Sequence, residues 1–222
     1  MNHTPSTDLE LLAQFIDIVL HLDQHLKWLV DNYGVWIYVI LFAIIFCETG
    51  LVIAPFLPGD SLLFVAGTLA ATGSMDVHSL FALLALASFT GDNTNYWIGR
   101  FVGPRVFTRE QSRLLNPAHL ERTRQFYDKF GPQMIIFARF LPIIRTFAPF
   151  VAGIGRMVYS KFLFYSFAGC IFWIGFFVYC GFYFGNIPFV KKNLTLFILG
   201  IIFISILPGI IGFAKQKLRK VA

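Results

Sequence analysis

Charge is scarce in this sequence: Asp, Glu, Lys and Arg make up 14% of its 222 residues, where about a quarter is usual for a soluble domain. That scarcity excludes an ordinary cytosolic enzyme, a disordered linker and a DNA-binding domain. Cysteine is rare as well. Cys47, Cys170 and Cys180 lie within apolar runs, with no Cys-x-x-Cys pair and no Cys/His cluster. Neither a disulfide framework nor a metal site is expected, and no cofactor is implied. The histidines His3, His21, His25, His78 and His119 all fall outside the long apolar runs and read as surface residues. They supply no His pair with an Asp for a phosphohistidine mechanism, and no cluster of Asp residues stands ready for metal-assisted phosphotransfer. An enzyme is therefore not expected. Nor does Met1–Glu10 carry a Lys or Arg, so a secretory signal is not expected at the start.

What is abundant is apolar surface. Hydrophobic residues make up 57% of the chain, and Phe alone occurs 27 times. A soluble domain of this length has too little interior to hide so much. The composition points to an integral membrane protein of one domain spanning 1–222, built from helices. The 18 Lys and Arg against 12 Asp and Glu read as the positive-inside bias of cytoplasmic loops rather than as a nucleic-acid surface.

Residues 9–30 are apolar at Leu12, Phe15, Ile16, Val19, Leu22, Leu26 and Leu29, interrupted by Asp17, Asp23 and Lys27. This helical spacing predicts an interfacial amphipathic helix. The stretch 33–72 is apolar but broken at Glu48 and again at Pro55, Pro58, Gly59 and Asp60, and 80–102 carries Asp92 and Arg100 in its second half. A basic loop follows over 103–133, with a helix expected after Asn116-Pro117. Residues 134–157 then hold Arg139, Pro142, Arg145 and Pro149. The runs 162–185 and 194–214 each exceed the roughly 20 residues that cross a bilayer. The tail 215–222 is basic.

Sidedness constrains this arrangement. The loop carries Arg105, Arg109, Arg113, Arg122, Arg124 and Lys129, and the tail Lys215, Lys217, Arg219 and Lys220. Both are expected on the cytoplasmic side. Two clean runs between them return the chain to the same side, so 134–157 should make no net crossing. A straight helix there would also place two arginines near mid-bilayer at about 2.5–3.5 kcal/mol each and two interior prolines at roughly 3 kcal/mol apiece. A re-entrant hairpin turning near Pro142 leaves those groups in a protein-lined cavity. The stretch 33–72 reads alike, with Thr49–Leu57 as an arm of about 14 Å before the breakers Pro58-Gly59.

The pattern occurs twice. Phe64-Val65-Ala66-Gly67 recurs as Phe150-Val151-Ala152-Gly153. Each unit reads as surface helix, hairpin and span: 9–30, 33–72 and 80–102 (together 9–102), then 117–130, 134–157 and 162–185, with the second core at 134–185. One crossing per unit inverts the second against the first, a transporter signature. The expected fold is thus an all-α inverted repeat with two opposed re-entrant hairpins, about three full spans and surface helices. The acidic N-terminal segment is compatible with an extracytoplasmic start.

Four ionisable residues lie in the hairpins: Glu48 and Asp60 in the first, Arg139 and Arg145 in the second. Such residues within a membrane mark sites or pathways, although two buried salt bridges pinning the hairpins would look the same. Arg keeps its charge and offers a planar fork suited to phosphate oxygens. Glu and Asp in a low-dielectric cavity can take up and release a proton. An arginine pair facing an acid pair can therefore exchange an anionic headgroup for a proton. Asp92, Asn95 and Arg100 form a polar stripe with Gly91, Asn93 and Tyr96; Asp92 and Arg100, two turns apart on one face, read as an internal pair or a cavity wall. Trp28, Tyr33, Trp36, Tyr38 and Tyr159 read as interfacial anchors, and Trp173 as lipid-facing or packing.

The stretch Glu48-Thr-Gly-Leu-Val-Ile-Ala-Pro55-Phe-Leu-Pro58-Gly59-Asp60, the stretch Arg139-Phe-Leu-Pro142-Ile-Ile-Arg145-Thr146 and the segments Gly91-Asp92-Asn93 and Tyr96-x-x-Gly99-Arg100 resemble the signatures of the DedA family, the bacterial branch of the VTT domain (SNARE-associated Golgi protein) superfamily. The resemblance implies a multi-pass bacterial inner-membrane protein, with membrane homeostasis linked to the proton motive force. It also implies transport of lipid phosphates, undecaprenyl phosphate above all, with Arg139 and Arg145 on phosphate and Glu48 and Asp60 on protons. The partners it implies are membrane lipids and protons, with assembly into homo-oligomers left open. Two other readings stand beside it: a proton-coupled antiporter of ions or cationic drugs, and a scaffold for other membrane proteins.

Overall fold

Hydrophobic spacing sets where helices form, and Gly, Pro and a capping Asp set where they begin and end. The computed structural model describes residues 22–51, 59–106, 131–140, 142–193, 196–197 and 199–201. Within them the chain is helical, in the order α1 (Leu22–Tyr33), α2 (Trp36–Gly50), α3 (Gly59–Ala71), α4 (Val77–Val106), α5 (Met134–Ala138), α6 (Pro142–Ile154), α7 (Tyr159–Phe184) and α8 (Pro188–Lys192).

The described part of the amphipathic segment is α1, which buries Leu26 and Val30 and exposes Trp28 and Tyr33. It ends at Gly34, whose φ of +51° is a left-handed value that L side chains resist. The chain then re-enters helix as α2, which buries Ile37, Leu41, Ile45 and Glu48. Those positions lie on one face at three- and four-residue spacing, and the face packs on α4. Here the structure corrects the expected arm over Thr49–Leu57: helix stops at Gly50, and Leu51 is extended (φ −103°, ψ 115°). The apolar turns that precede Glu48 carry the helix, which runs over Trp36–Gly50. Residues 52–58, including Pro55 and Pro58, lie outside the described residues.

The next helix, α3, is buried at all but its last residue and packs on α7. Asp76 caps α4: its Oδ1 accepts the Ser79 N–H at 2.7 Å, while its own N–H donates to the Tyr38 hydroxyl at 2.9 Å. Hydrogen bonds from Ser79 hold this exposed carboxyl below its ordinary range. The 30 residues of α4 carry helix four residues past 102, into what reads as the basic loop. Residues 107–130, with the expected helix after Asn116-Pro117, lie outside the described residues.

The second apolar stretch breaks as expected near Pro142. α5 ends at Ala138, and α6 begins at Pro142, where the missing N–H costs nothing. Pro149, read from sequence as a further obstacle to helix, sits inside α6. It takes the N–H from the Arg145 carbonyl. The neighbouring Thr146 carbonyl accepts the Asn95 amide at 2.6 Å, so this face of α6 is bonded from outside the helix.

α7, with 26 residues, is long and apolar enough to cross a membrane. α2, α3 and α6 have 15, 13 and 13 residues, or about 20–22 Å of helix, short of a full crossing. Of the run 194–214, residues 196–197 and 199–201 are described, and they are helical.

Glycine sets how close the helices come. A Cβ on Gly67 would lie 2.2 Å from the Val178 carbonyl oxygen, and one on Gly181 2.0 Å from that of Phe64, so α3 and α7 touch backbone to backbone. The same pair of contacts recurs between α4 and α6: Gly153 against the Tyr96 carbonyl at 2.0 Å and Gly99 against that of Phe150 at 2.1 Å. The two Phe-Val-Ala-Gly copies thus make matching contacts, each with the long helix of the other half.

Candidate functional site

Arg145 lies in the first turns of α6, buried at 7% exposure. Its Nη1 donates to Asp60 Oδ1 at 2.6 Å, and its Nη2 donates to Glu48 Oε1. Glu48 comes from the last turn of α2 and Asp60 from the first turn of α3, where a helix N-terminus favours an acid. Both acids of the first stretch therefore meet one arginine of the second. Gly59, read from sequence as a breaker, also makes room: a Cβ there would lie 1.9 Å from Glu48 Oε2. Trp173 completes the group, its Nε1–H donating to Asp60 Oδ1 at 2.8 Å.

Arg139, just past α5, belongs to a second centre. Its Nη2 donates to Asp92 Oδ2 and lies 2.9 Å from Cys170 Sγ, and its Nη1 donates to Ser88 Oγ at 3.3 Å. Ser166 donates to the same Asp92 oxygen at 2.7 Å. Two sequence expectations change here. Arg139 does not face Glu48 and Asp60 together with Arg145. Asp92, read together with Arg100 as an internal pair or a cavity wall, pairs with Arg139 instead. Two helical turns, about 11 Å, keep Arg100 from Asp92. Arg100 donates to the Tyr96 hydroxyl at 3.1 Å and lies 5.8 Å from the centre of the Trp97 ring.

Asn95 joins the halves, its Nδ2 donating to the Thr49 carbonyl at 3.2 Å and to that of Thr146. Thr146 itself is buried beside Arg145. Pro142 opens α6, as its place in the second motif suggested. Tyr159, read as an interfacial anchor, donates to Asn93 Oδ1 at 2.9 Å.

Sequence reasoning missed the contribution of α7. Ser166, Cys170 and Trp173 are all buried and recur at four and three residues, one stripe of a helix. That stripe reaches both arginine centres. The signal was legible as three polar-capable side chains in phase within an otherwise apolar run. Together the two centres hold Glu48, Asp60 and Asp92 against Arg139 and Arg145, a formal surplus of one negative charge. Charges buried this way repay their desolvation only through such pairing.

Residues 57–183 match the VTT domain. The chain is 51% identical to Protein DedA of Escherichia coli strain K12 over 94% of its own length and 96% of that protein. It is 44% identical to an uncharacterised membrane protein of Mycobacterium leprae over 78% of this chain and 80% of that protein. It is 34% identical to inner membrane protein YghB of E. coli strain K12, over 82% and 84% of the two chains. No solved structure matches. From the domain match and these identities over most of its length, the chain is a membrane protein of the VTT domain family, in its DedA branch.

Proposed function

We propose that this chain is a bacterial inner-membrane transporter, not an enzyme, that carries lipid phosphates, undecaprenyl phosphate foremost, in a cycle coupled to protons. The observation that carries the reading is the pairing of one buried guanidinium, Arg145, with two carboxylates, Glu48 and Asp60. Phosphate and carboxylate compete for the same fork of N–H donors. A proton taken up by the acid pair frees Arg145 for a phosphate oxygen; its loss restores the internal pair and expels the phosphate. The surplus negative charge gives the proton a place to go. Arg139, held by a single carboxylate, is the second phosphate donor of the cycle.

The short helices α2 and α3, and α5 and α6, are the arms of two re-entrant hairpins entering from opposite faces. Their inner ends carry Glu48, Asp60 and Arg145, which fits a site near the midplane of an inverted repeat. The C-terminal tail and the basic loop are cytoplasmic by their charge. With a membrane potential of 100 mV, each charge moved is worth about 2.3 kcal/mol.

The test is reconstitution of the full chain in liposomes with labelled undecaprenyl phosphate, with and without a pH gradient. Lipid movement that follows the gradient is expected, and Glu48→Gln should abolish its dependence on pH. Movement at the protein-free rate, or a pH profile unchanged in Glu48→Gln, would overturn the proposal.

A further inference from the structure

Trp173 has no place in the exchange just described, yet it touches it. Its indole Nε1–H and Arg145 Nη1 donate to the same oxygen, Asp60 Oδ1. The ring is 9% exposed and stands between two phenylalanines: Phe140 edge-on at 5.1 Å and 84°, and Phe177 at 5.1 Å and 61°. Phe140 follows Arg139 directly and lies two residues before Pro142, in the turn joining α5 to α6. One side chain on α7 therefore binds the acid of the first stretch by its nitrogen and packs on the turn of the second by its face.

We propose that Trp173 is a positioning residue that ties the charge of Asp60 to the placement of the α5–α6 turn. This rests on the reading of Glu48 and Asp60 as an acid pair that takes up and releases a proton. An indole N–H donates and cannot accept, and it bonds an ionised carboxylate about twice as strongly as a neutral acceptor. When Asp60 is ionised, the indole is pulled toward α3 and Phe140 rests on it. When the pair takes up a proton, the hold of Arg145 and Trp173 on it weakens in the same event, and Phe140 loses part of its support from the indole. The turn that follows Arg139 is thereby tied to the charge on the acid pair, while Arg139 keeps its own partners Asp92, Ser88 and Cys170.

The charged and titratable groups around this point are Glu48 on α2, Arg145 on α6, and Asp92 and Arg139 from α4 and the end of α5, with Cys170 on α7 beside them. α1, which also packs on α3, carries His25, Lys27 and Asp31 at exposed positions.

The experiment uses the full chain in lipid nanodiscs with Trp28, Trp36 and Trp97 replaced by Phe, so that emission reports Trp173 alone. Its emission should shift with pH, and the shift should vanish in the same chain carrying Asp60→Asn. In liposomes, Trp173→Phe should lower pH-driven movement of labelled undecaprenyl phosphate about tenfold, the scale of one lost charge-assisted bond. Phe140→Leu should lower flux while keeping the emission shift. Emission that ignores pH, or a shift that persists in Asp60→Asn, would overturn the proposal, as would full flux in Trp173→Phe. If the native chain moves no lipid phosphate, the transport reading fails by itself, while the emission arm still decides whether Trp173 follows Asp60.

Discussion

Among single residues, Arg145 bears the greatest consequence. Its removal strands Glu48 and Asp60 in the interior, and breaking a buried pair of this kind costs about 3–5 kcal/mol. In Arg145→Ala the loss should be largest at alkaline pH, where both carboxylates are ionised. It should shrink as pH falls and they protonate. Thermal unfolding in detergent across pH checks this; a deficit that is absent, or that grows in acid, would contradict the pairing. The assignment of Asp92 to Arg139 has its own test. Asp92→Asn leaves a buried guanidinium without a counter-charge, whereas Arg100→Ala removes a contact to a hydroxyl. Asp92→Asn should therefore lower the unfolding midpoint by more than Arg100→Ala, and the reverse order would show the pairing to be wrong. Glu48, Asp60, Arg139 and Arg145 were conspicuous in the sequence because ionisable groups are rare in apolar runs. Which of them pair was not legible, since partners arrive from helices far apart in the chain.

For the helices, glycine placement does the positioning. A Cβ at Gly153 would fall 2.0 Å from the Tyr96 carbonyl oxygen, so Gly153→Ala must push α6 away from α4. Overpacking of this kind costs typically about 1–3 kcal/mol. Gly200, with no described atom within 4 Å of a Cβ placed there, is the control, and Gly200→Ala should not lower the midpoint, since Ala is the better helix former. Equal midpoints for the two variants would mean that α4 and α6 do not approach this closely. Most helices could be read from apolar periodicity, and the break before Pro142 from the imino ring. Pro149 was harder, because a proline cost taken from an isolated helix leaves out the packing of α6 on α4. The end of α2 at Gly50 was hidden for a related reason: the sequence stays apolar well past the point where the helix stops.

Across the whole molecule, the two halves exchange partners. α3 packs on α7 and α6 on α4, with matching glycine-to-carbonyl contacts in both places. Neither half can close its polar interior alone: Arg145 and Trp173 of the second complete the acids of the first, and Asp92 of the first completes Arg139 of the second. The repeated Phe-Val-Ala-Gly pointed to a duplication, but only three-dimensional packing discloses the exchange of contacts. An interior built this way couples a change in ionisation to contacts between the halves, as the proposed carrier cycle requires.

The central claim is that a phosphate replaces the carboxylates on Arg145. Binding of labelled undecaprenyl phosphate to the purified full chain, measured as a function of pH, tests it most directly. Affinity should strengthen as pH falls, approaching about tenfold per pH unit for one proton taken up with the lipid, and Arg145→Ala should remove both the binding and its slope. Affinity that does not vary with pH, or that is the same in Arg145→Ala, would contradict the account.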